Sequence, residues 1–281
     1  MSPVLHKTVC GHFSESGARR VELEDVDPVC FQHVLDLWCG REGVEVESLW
    51  RLMRTAGVAE RFQVEEVVCA LEEAVVGQLS VETCAEVLMG SERLGLRRAE
   101  AAAERLALAR FEEVAGTAGF VGLGEEAVGR LVDDDRLDAG SEERVFECVV
   151  GWMAGGGAEG GVGGWGRGAL GKVRFLLMDA GYLAREVEGR VPAEHREWAK
   201  GVVKEACGYL ATPLEERGLV RMEHLGGRAG TVRVGMGIHW ERHALGCGCG
   251  WVRRSCALRS AGGGCAAGAG TGRSRCGTGR R

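Results

Sequence analysis

Two glycine-rich motifs are the first places where this sequence could do chemistry, because closely spaced glycines let a backbone cradle phosphate. Gly161, Gly163 and Gly166 have the spacing of a dinucleotide-binding loop. Such a loop follows a strand, whereas a helical pattern and a run of glycines come before it here. Residues 166–173 resemble a phosphate loop, but Val173 stands where a Mg²⁺-binding hydroxyl is required. Neither motif predicts nucleotide binding.

Three further patterns do not match known catalytic or metal sites. The acidic run 133–140 resembles a calcium loop until its fifth position, which is Leu137. Seven histidines occur, but no nucleophile elbow and no H-E-x-x-H motif. The cysteines at positions 247, 249, 256, 265 and 276 have spacings unlike those of zinc sites. The sequence therefore predicts a protein that is not an enzyme, with no cofactor and no metal.

Charge is divided unevenly along the chain. Residues 226–281 hold ten arginines, no lysine and one acid, Glu241, which gives a net charge of +9. The whole chain has 35 basic and 41 acidic side chains, so residues 1–225 hold 25 and 40 and carry −15. An acidic body repels phosphate, which disfavours nucleic acid as its partner. The basic tail leaves one alternative open, a nucleic-acid-associated regulator that acts through residues 226–281.

Helical periodicity dominates the acidic body. Apolar residues fall on one face of successive segments, which predicts amphipathic helices that pack together. The predicted helices cover 48–62, 65–79, 81–90, 94–114, 124–131, 141–154, 170–182 and 193–210. Strand-like alternation occurs mainly at 20–24, shortly before Asp27 and Pro28, a typical N-cap and first-turn pair. We therefore expect a mainly α protein with a little sheet.

Two stretches break the helical pattern. Ten of the seventeen residues 155–171 are glycine. Each glycine disfavours a helix interior by about 1 kcal/mol relative to alanine, so a flexible loop is predicted there. After residue 225, small residues, arginine and cysteine alternate without an apolar face, which predicts disorder.

The start of the chain and its cysteines bear on location. Residues 1–7 lack an apolar signal segment, and no apolar run is long enough for a membrane span. Seven cysteines, at positions 10, 30, 39, 69, 84, 148 and 207, are scattered singly through apolar segments. We expect them to be small buried side chains in a reducing compartment. The sequence thus predicts a cytoplasmic or nuclear protein with no membrane contact.

Short motifs recur in a fixed order along the body. They include SPVL at 2–5, VELEDVDP at 21–28, ERVF at 143–146, Trp152 and VRF at 173–175. Together they resemble a BTB/POZ domain followed by a BACK domain, the pairing found in kelch-like proteins. The resemblance implies a remnant of an α+β BTB/POZ domain followed by an all-α BACK helical bundle.

The resemblance also implies a domain organisation. Residues 1–79 would be an incomplete BTB/POZ domain, and residues 80–190 a BACK domain that contains the glycine-rich loop 155–171. A post-BACK helix would occupy 191–225, and a disordered basic tail 226–281.

An adaptor, rather than a catalyst, is what the resemblance implies. Members of the family commonly dimerise through BTB, recruit the third cullin of ubiquitin ligases, and present substrate through a C-terminal kelch propeller. Their cullin contact includes an apolar-x-Glu motif, which here would be Phe13 and Glu15. Trp38 takes the place of a family tyrosine near the same surface. Each also has a plainer interpretation, Phe13 and Trp38 as core residues and Glu15 as a solvated turn.

The sequence departs from the family pattern at both ends. Met1 falls where the family is already well into BTB, and no kelch repeat follows residue 230. BTB-type self-association and full affinity for a cullin are therefore both in question. A truncated, non-functional gene product stays open beside the adaptor and the nucleic-acid-associated regulator.

Overall fold

The structure is a computed structural model that describes residues 2–10, 23–41, 48–156 and 166–213, with the side chains of 8–10 excepted. The predicted contact residues Phe13 and Glu15 lie outside these ranges. The basic tail and most of the glycine-rich loop also lie outside them, as do most residues of the strand predicted at 20–24. The described end of that stretch, Leu23 and Glu24, is not part of a strand.

The described residues form a helical bundle, so the prediction of a mainly α protein is confirmed. Its α-helices are α1 (Pro3–Cys10), α2 (Pro28–Trp38), α3 (Leu49–Arg61), α4 (Glu65–Gly77), α5 (Val81–Leu94), α6 (Arg97–Ala109), α7 (Phe111–Ala115), α8 (Glu125–Asp133), α9 (Glu142–Ala154), α10 (Arg167–Leu170), α11 (Ala180–Tyr182), α12 (Glu188–Arg190) and α13 (Arg196–Ala211). A π-helical turn, Leu183–Val187, joins α11 to α12, and short 3₁₀ turns occupy Ala118–Gly122, Phe175–Leu177 and Ala193–His195.

Several helices begin where side chains satisfy the first free backbone N–H groups. Asp27 Oδ1 accepts the N–H of Val29 at 2.9 Å, and Pro28 is the first residue of α2, as predicted. Ser141 Oγ accepts the N–H of Arg144 at 3.4 Å at the start of α9. Both caps are local, which is why the sequence pattern was sufficient to predict the one at Asp27.

One apolar core runs through the bundle, from Val34 in α2 to Ala206 in α13. The predicted apolar face of α4 is buried throughout. Val145, Phe146 and Val149 of α9 are buried too, and the Phe146 ring meets Phe175 edge-on at 6.0 Å between centroids. Helices on both sides of residue 80 thus share the same core.

The helix predicted at 170–182 is wrong. The chain instead forms α10, the 3₁₀ turn at Phe175–Leu177 and α11. Glu142 Oε1 accepts the N–H of Arg174 at 2.7 Å, and Glu143 Oε1 accepts that of Asp179 at 2.7 Å. Two carboxylates of α9 therefore bond backbone groups in this segment that a continuous helix would have paired internally.

Smaller predictions also need correction. Leu94 ends α5 instead of opening the next helix, because Gly95 takes a left-handed conformation with φ of +74°. Residues 167–170, expected in the loop, form the single turn α10. His195, which directly precedes α13, is buried. Cys39 and Cys69, expected to be buried, are exposed.

Candidate partner-binding surface

The end of α3 anchors the N-terminal segment. The buried Ser2 hydroxyl donates a hydrogen bond to the carbonyl of Phe62, and its oxygen accepts the N–H of Leu5 at 3.0 Å. The Phe62 ring lies 5.0 Å from that of Phe31 in α2. Helices α1, α2 and α3 therefore meet at one residue, Phe62.

The neighbouring residue, Arg61, holds the segment that leads into α2. Its guanidinium donates to the carbonyl of Asp25 at 2.9 Å and to that of Glu24 at 3.1 Å. Asp25 has a φ of +56°, a conformation that L side chains rarely adopt, so the turn is held in a defined shape by its partners. Two apolar side chains flank this turn and face solvent, Leu23 at 37 % and Val29 at 45 % exposure.

Asp27 couples the same turn to the middle of α3. Its carboxylate accepts the N–H groups of Cys30 and Val29 and lies 3.2 Å from the Arg54 guanidinium. The Cys30 N–H contributes most to lowering the pKa of Asp27, and the Val29 N–H and the positive charge of Arg54 lower it further. Asp27 is thus ionised at neutral pH, where it caps α2 and pairs with α3.

A shallow groove of about 660 Å³ lies between the start of α1 and the end of α3. Its walls combine the backbone and small side chains of α1 with the polar groups of His6, Lys7 and Gln63. Gln63 has a φ of +52°, which turns the chain sharply from α3 into α4. A groove this open suits a segment of another protein better than an enclosed small molecule.

Trp38 is the one predicted contact residue that the structure describes. It is the last residue of α2, is half-buried, and packs against the core. This agrees with its interpretation as a core residue. Whether Phe13 and Glu15 lie near Trp38 stays a prediction, because both are outside the described residues.

An exposed indole at the start of α3 was not singled out by the sequence pattern. Trp50 is 43 % exposed, and its ring edge lies about 3.5 Å from where a Cβ on Gly90 of α5 would stand. Trp50 lies outside the apolar face of α3. A large apolar side chain in that position is the sequence signal that could have identified it. Exposed tryptophans at a helix junction are typical anchors of protein interfaces.

Glycines bring α3 and α5 into close contact below this indole. A Cβ on Gly57 would lie 2.7 Å from Leu94 Cδ2, and one on Gly90 would lie 2.8 Å from Met53 Cε. The two helices can approach this closely because neither glycine has a side chain. The junction between residues 1–79 and 80–190 is therefore tightly packed.

A charged network covers the other end of the bundle. The carboxylate of Glu147 in α9 binds the guanidinium of Arg144 at 2.9 Å, accepts the hydroxyl of Tyr182 at 3.2 Å, and lies 3.5 Å from Arg190. Burial of the ring, and then the negative charge of Glu147, raise the pKa of Tyr182 to about 12. The network ties α9 to the helical segment that contains the π-helical turn.

Two of the described thiols, those of Cys84 and Cys148, are poor nucleophiles. Burial raises the pKa of Cys84 and of Cys148 to about 11, so both are protonated at neutral pH. Within the ranges that the structure covers, no three His, Cys, Asp or Glu side chains are grouped so that they could hold a metal ion. None of the helices in those ranges is long and apolar enough to cross a membrane.

Comparisons with known proteins agree with this architecture. Residues 84–188 match the family profile described as "BACK: BTB And C-terminal Kelch". Kelch-like protein 2 of Homo sapiens is 27 % identical over 235 residues, which cover 78 % of this chain and 36 % of the relative. Kelch-like protein 3 of Pongo abelii is 27 % identical over 238 residues, which cover 78 % of this chain and 37 % of the relative.

These matches place the helical bundle in a known class. The stretch 84–188, which begins in α5 and reaches α12, is a BACK domain. The comparisons support the resemblance to the BTB–BACK kelch-like family that the sequence motifs predicted. It spans just over a third of the length of the curated relatives that it matches.

Proposed function

We propose that this chain is a protein-interaction adaptor that binds a cullin-type scaffold of ubiquitin ligases through the surface formed by α1, α2 and α3. The observation that carries the proposal is the packed junction of α3 with α5, which fixes that surface relative to the BACK domain. An adaptor needs such rigidity, because binding energy is lost whenever interface elements must first be ordered.

The exposed residues of this surface suit a protein partner. Val29 and Trp50 are two of the large apolar side chains that the described residues expose, and polar groups of α1 and Gln63 border the groove at the end of α3. An apolar anchor with a polar rim is the usual arrangement of a protein interface. Phe13 and Glu15 would extend the contact, as the family resemblance implies.

The test is a calorimetric titration of the full chain with the N-terminal domain of the third cullin. We expect binding that weakens at least several-fold in Phe13→Ala, Glu15→Ala and Trp50→Ala, because each removes an apolar anchor or a charge from the interface. Trp50 is 43 % exposed, so Trp50→Ala should leave the helical bundle folded, and circular dichroism checks this before the titration. Glu197→Ala, on the distant α13, is the matched control and should bind like the parent chain.

Two results would overturn this proposal. One is the absence of binding by a chain whose circular dichroism shows an intact helical bundle. The other is equal affinity in the parent chain and in the three interface variants, which would show that the contact lies on another surface.

A further inference from the structure

Helix α4 leaves half of its circumference without a partner in the described structure. At 100° per residue, the buried side chains Val67, Val68, Leu71 and Val75 occupy one side. The opposite side, called here the outer face of α4, is formed by exposed residues, namely Glu65, Glu66, Cys69, Ala70, Glu73, Ala74, Val76 and Gly77. A Cβ on Gly77 would meet nothing within 4 Å, so the face is open above its C-terminal end.

The outer face of α4 combines negative charge with apolar surface. The helix has four glutamates and no basic residue, and one of them, Glu72, points inward. Glu65, Glu66 and Glu73 form no ion pair with any residue that the structure describes. On α9, by contrast, Glu147 is bound by arginines. Val76, 39 % exposed, adds an apolar contact beside these carboxylates.

The same chain contains a segment with the complementary composition. Residues 226–281 hold ten arginines, one acid and two tryptophans, Trp240 and Trp251. Guanidinium groups bind carboxylates through paired hydrogen bonds, and tryptophan covers small apolar surfaces well. The small side chains of Cys69, Ala70 and Gly77 would let such a segment approach the helix closely.

The segment is also long enough to reach this face. Described structure ends at Pro213, and fourteen residues separate it from Arg228, the first arginine of the segment. Extended chain spans roughly 3.3 Å per residue, so those residues alone could cross about 45 Å, more than the roughly 30 Å diameter of a small domain. Because both surfaces belong to one chain, binding would occur at an effective concentration of about millimolar.

We propose that the arginine-rich segment 226–281 docks on the outer face of α4 in the same molecule. Docking neutralises the carboxylates of Glu65, Glu66 and Glu73 and covers Val76. It also occupies arginines that would otherwise attract nucleic acid. This proposal does not depend on cullin binding.

The experiment uses the exposed cysteines of the full chain. Cys69 lies on the outer face of α4, and Cys39 follows α2 on a different surface, so they form a matched pair. A short bis-maleimide links either thiol to the tail cysteines Cys247 and Cys256, and mass spectrometry counts the links. Each count is divided by the labelling of the same thiol with a monofunctional maleimide, which corrects for intrinsic reactivity.

At low salt we expect Cys69 to link to the tail several-fold more often than Cys39. The preference should fall towards equality at high salt, and also in Glu66→Gln/Glu73→Gln, because both treatments remove the attraction. The double variant Arg253→Gln/Arg254→Gln should also weaken the preference for Cys69, because it removes positive charge from the tail. Equal normalised linking of Cys69 and Cys39 at low salt would overturn the proposal. Links found only between two chains would overturn it as well, since the occupant would then be the tail of a second copy.

Discussion

Glu72 and Arg98 are joined by a hydrogen bond between α4 and α6, the second of which lies in the stretch that matches the BACK profile. Glu72 Oε1, in α4, accepts the backbone N–H of Arg98 at 2.8 Å and that of Ala99 at 3.3 Å. The N-cap position of α6 is Leu96, whose side chain cannot accept a hydrogen bond. Glu72 therefore caps α6 from 26 residues away, with its charge at the positive end of the helix dipole.

Replacement of Glu72 should destabilise the fold. Glu72→Ala leaves two N–H groups at a buried helix start without their acceptor, which we expect to cost about 1–3 kcal/mol of unfolding free energy. Glu72→Gln keeps an acceptor oxygen and loses the charge, so its cost should be smaller, about 0.5–2 kcal/mol. Denaturant titrations followed by circular dichroism measure both.

The neighbouring exposed residue provides the control for this prediction. Glu73→Gln alters a carboxylate on the outer face of α4 and should change the unfolding midpoint little. If Glu72→Ala and Glu73→Gln unfold at the same denaturant concentration, the capping role of Glu72 is wrong.

Close packing at Gly57 should make even one extra methyl group unfavourable. Gly57→Ala would place a Cβ 2.7 Å from Leu94 Cδ2 and 3.1 Å from Leu94 Cβ, so Leu94 must change its rotamer or α3 and α5 must move apart. We expect a loss of about 1–3 kcal/mol in unfolding free energy. Leu94→Ala in the same chain removes the 2.7 Å contact with Cδ2 and keeps only the one with Cβ, so the double variant should lose less than the sum of the single variants.

Gly151→Ala is the matched control for this overpacking. Gly151 lies in α9, and a Cβ there would meet nothing within 4 Å. Alanine should stabilise this helix by about 0.5–1 kcal/mol, because glycine loses more backbone entropy on folding. Calorimetric melting should therefore shift in opposite directions for the two alanine variants, and a parallel shift would contradict the close contact at Gly57.

Sequence patterns predicted those features of the fold that depend on nearby residues. The N-cap of α2 by Asp27 and the buried face of α4 follow from spacing along one helix, and both were predicted. The segment 170–182 was predicted wrongly because Glu142 and Glu143, more than thirty residues away, bind its backbone. The cap on α6 by Glu72 was missed for a similar reason. It depends on which helices pack together, and periodicity does not report that.

The Tyr182 hydroxyl should make stability sensitive to alkaline pH. Burial and Glu147 raise its pKa from the ordinary 10.0 to about 12 in the folded chain. Between these two values the unfolded chain releases the tyrosine proton and the folded chain keeps it, so stability falls as pH rises. Below pH 10 the hydroxyl is protonated in both states, and this contribution is constant.

Tyr182→Phe isolates this effect, since it removes the titrating group and keeps the ring between Phe146 and Arg190. The unfolding midpoint of the parent chain should decline more steeply than that of Tyr182→Phe from about pH 10 to pH 12. Other groups titrate in this range too, but they are common to both chains and cancel in the difference. Parallel pH profiles would show that the pKa of Tyr182 is not raised by folding.

Trp152 should stabilise the BACK domain through its indole N–H as well as through its ring. The buried Nε1 donates to the carbonyl of Leu123 at 2.9 Å and so connects α9 to the segment before α8. Trp152→Phe leaves that carbonyl without its donor and also removes ring volume. We expect a loss of about 2–4 kcal/mol in unfolding free energy from the two effects together.

Trp198→Phe is the matched control for this prediction. In the described structure the Trp198 ring meets Phe175 edge-on and lies near the Arg167 guanidinium, and its N–H forms no hydrogen bond. Denaturant midpoints should fall clearly further for Trp152→Phe than for Trp198→Phe, and equal midpoints would mean that the bond to Leu123 contributes little.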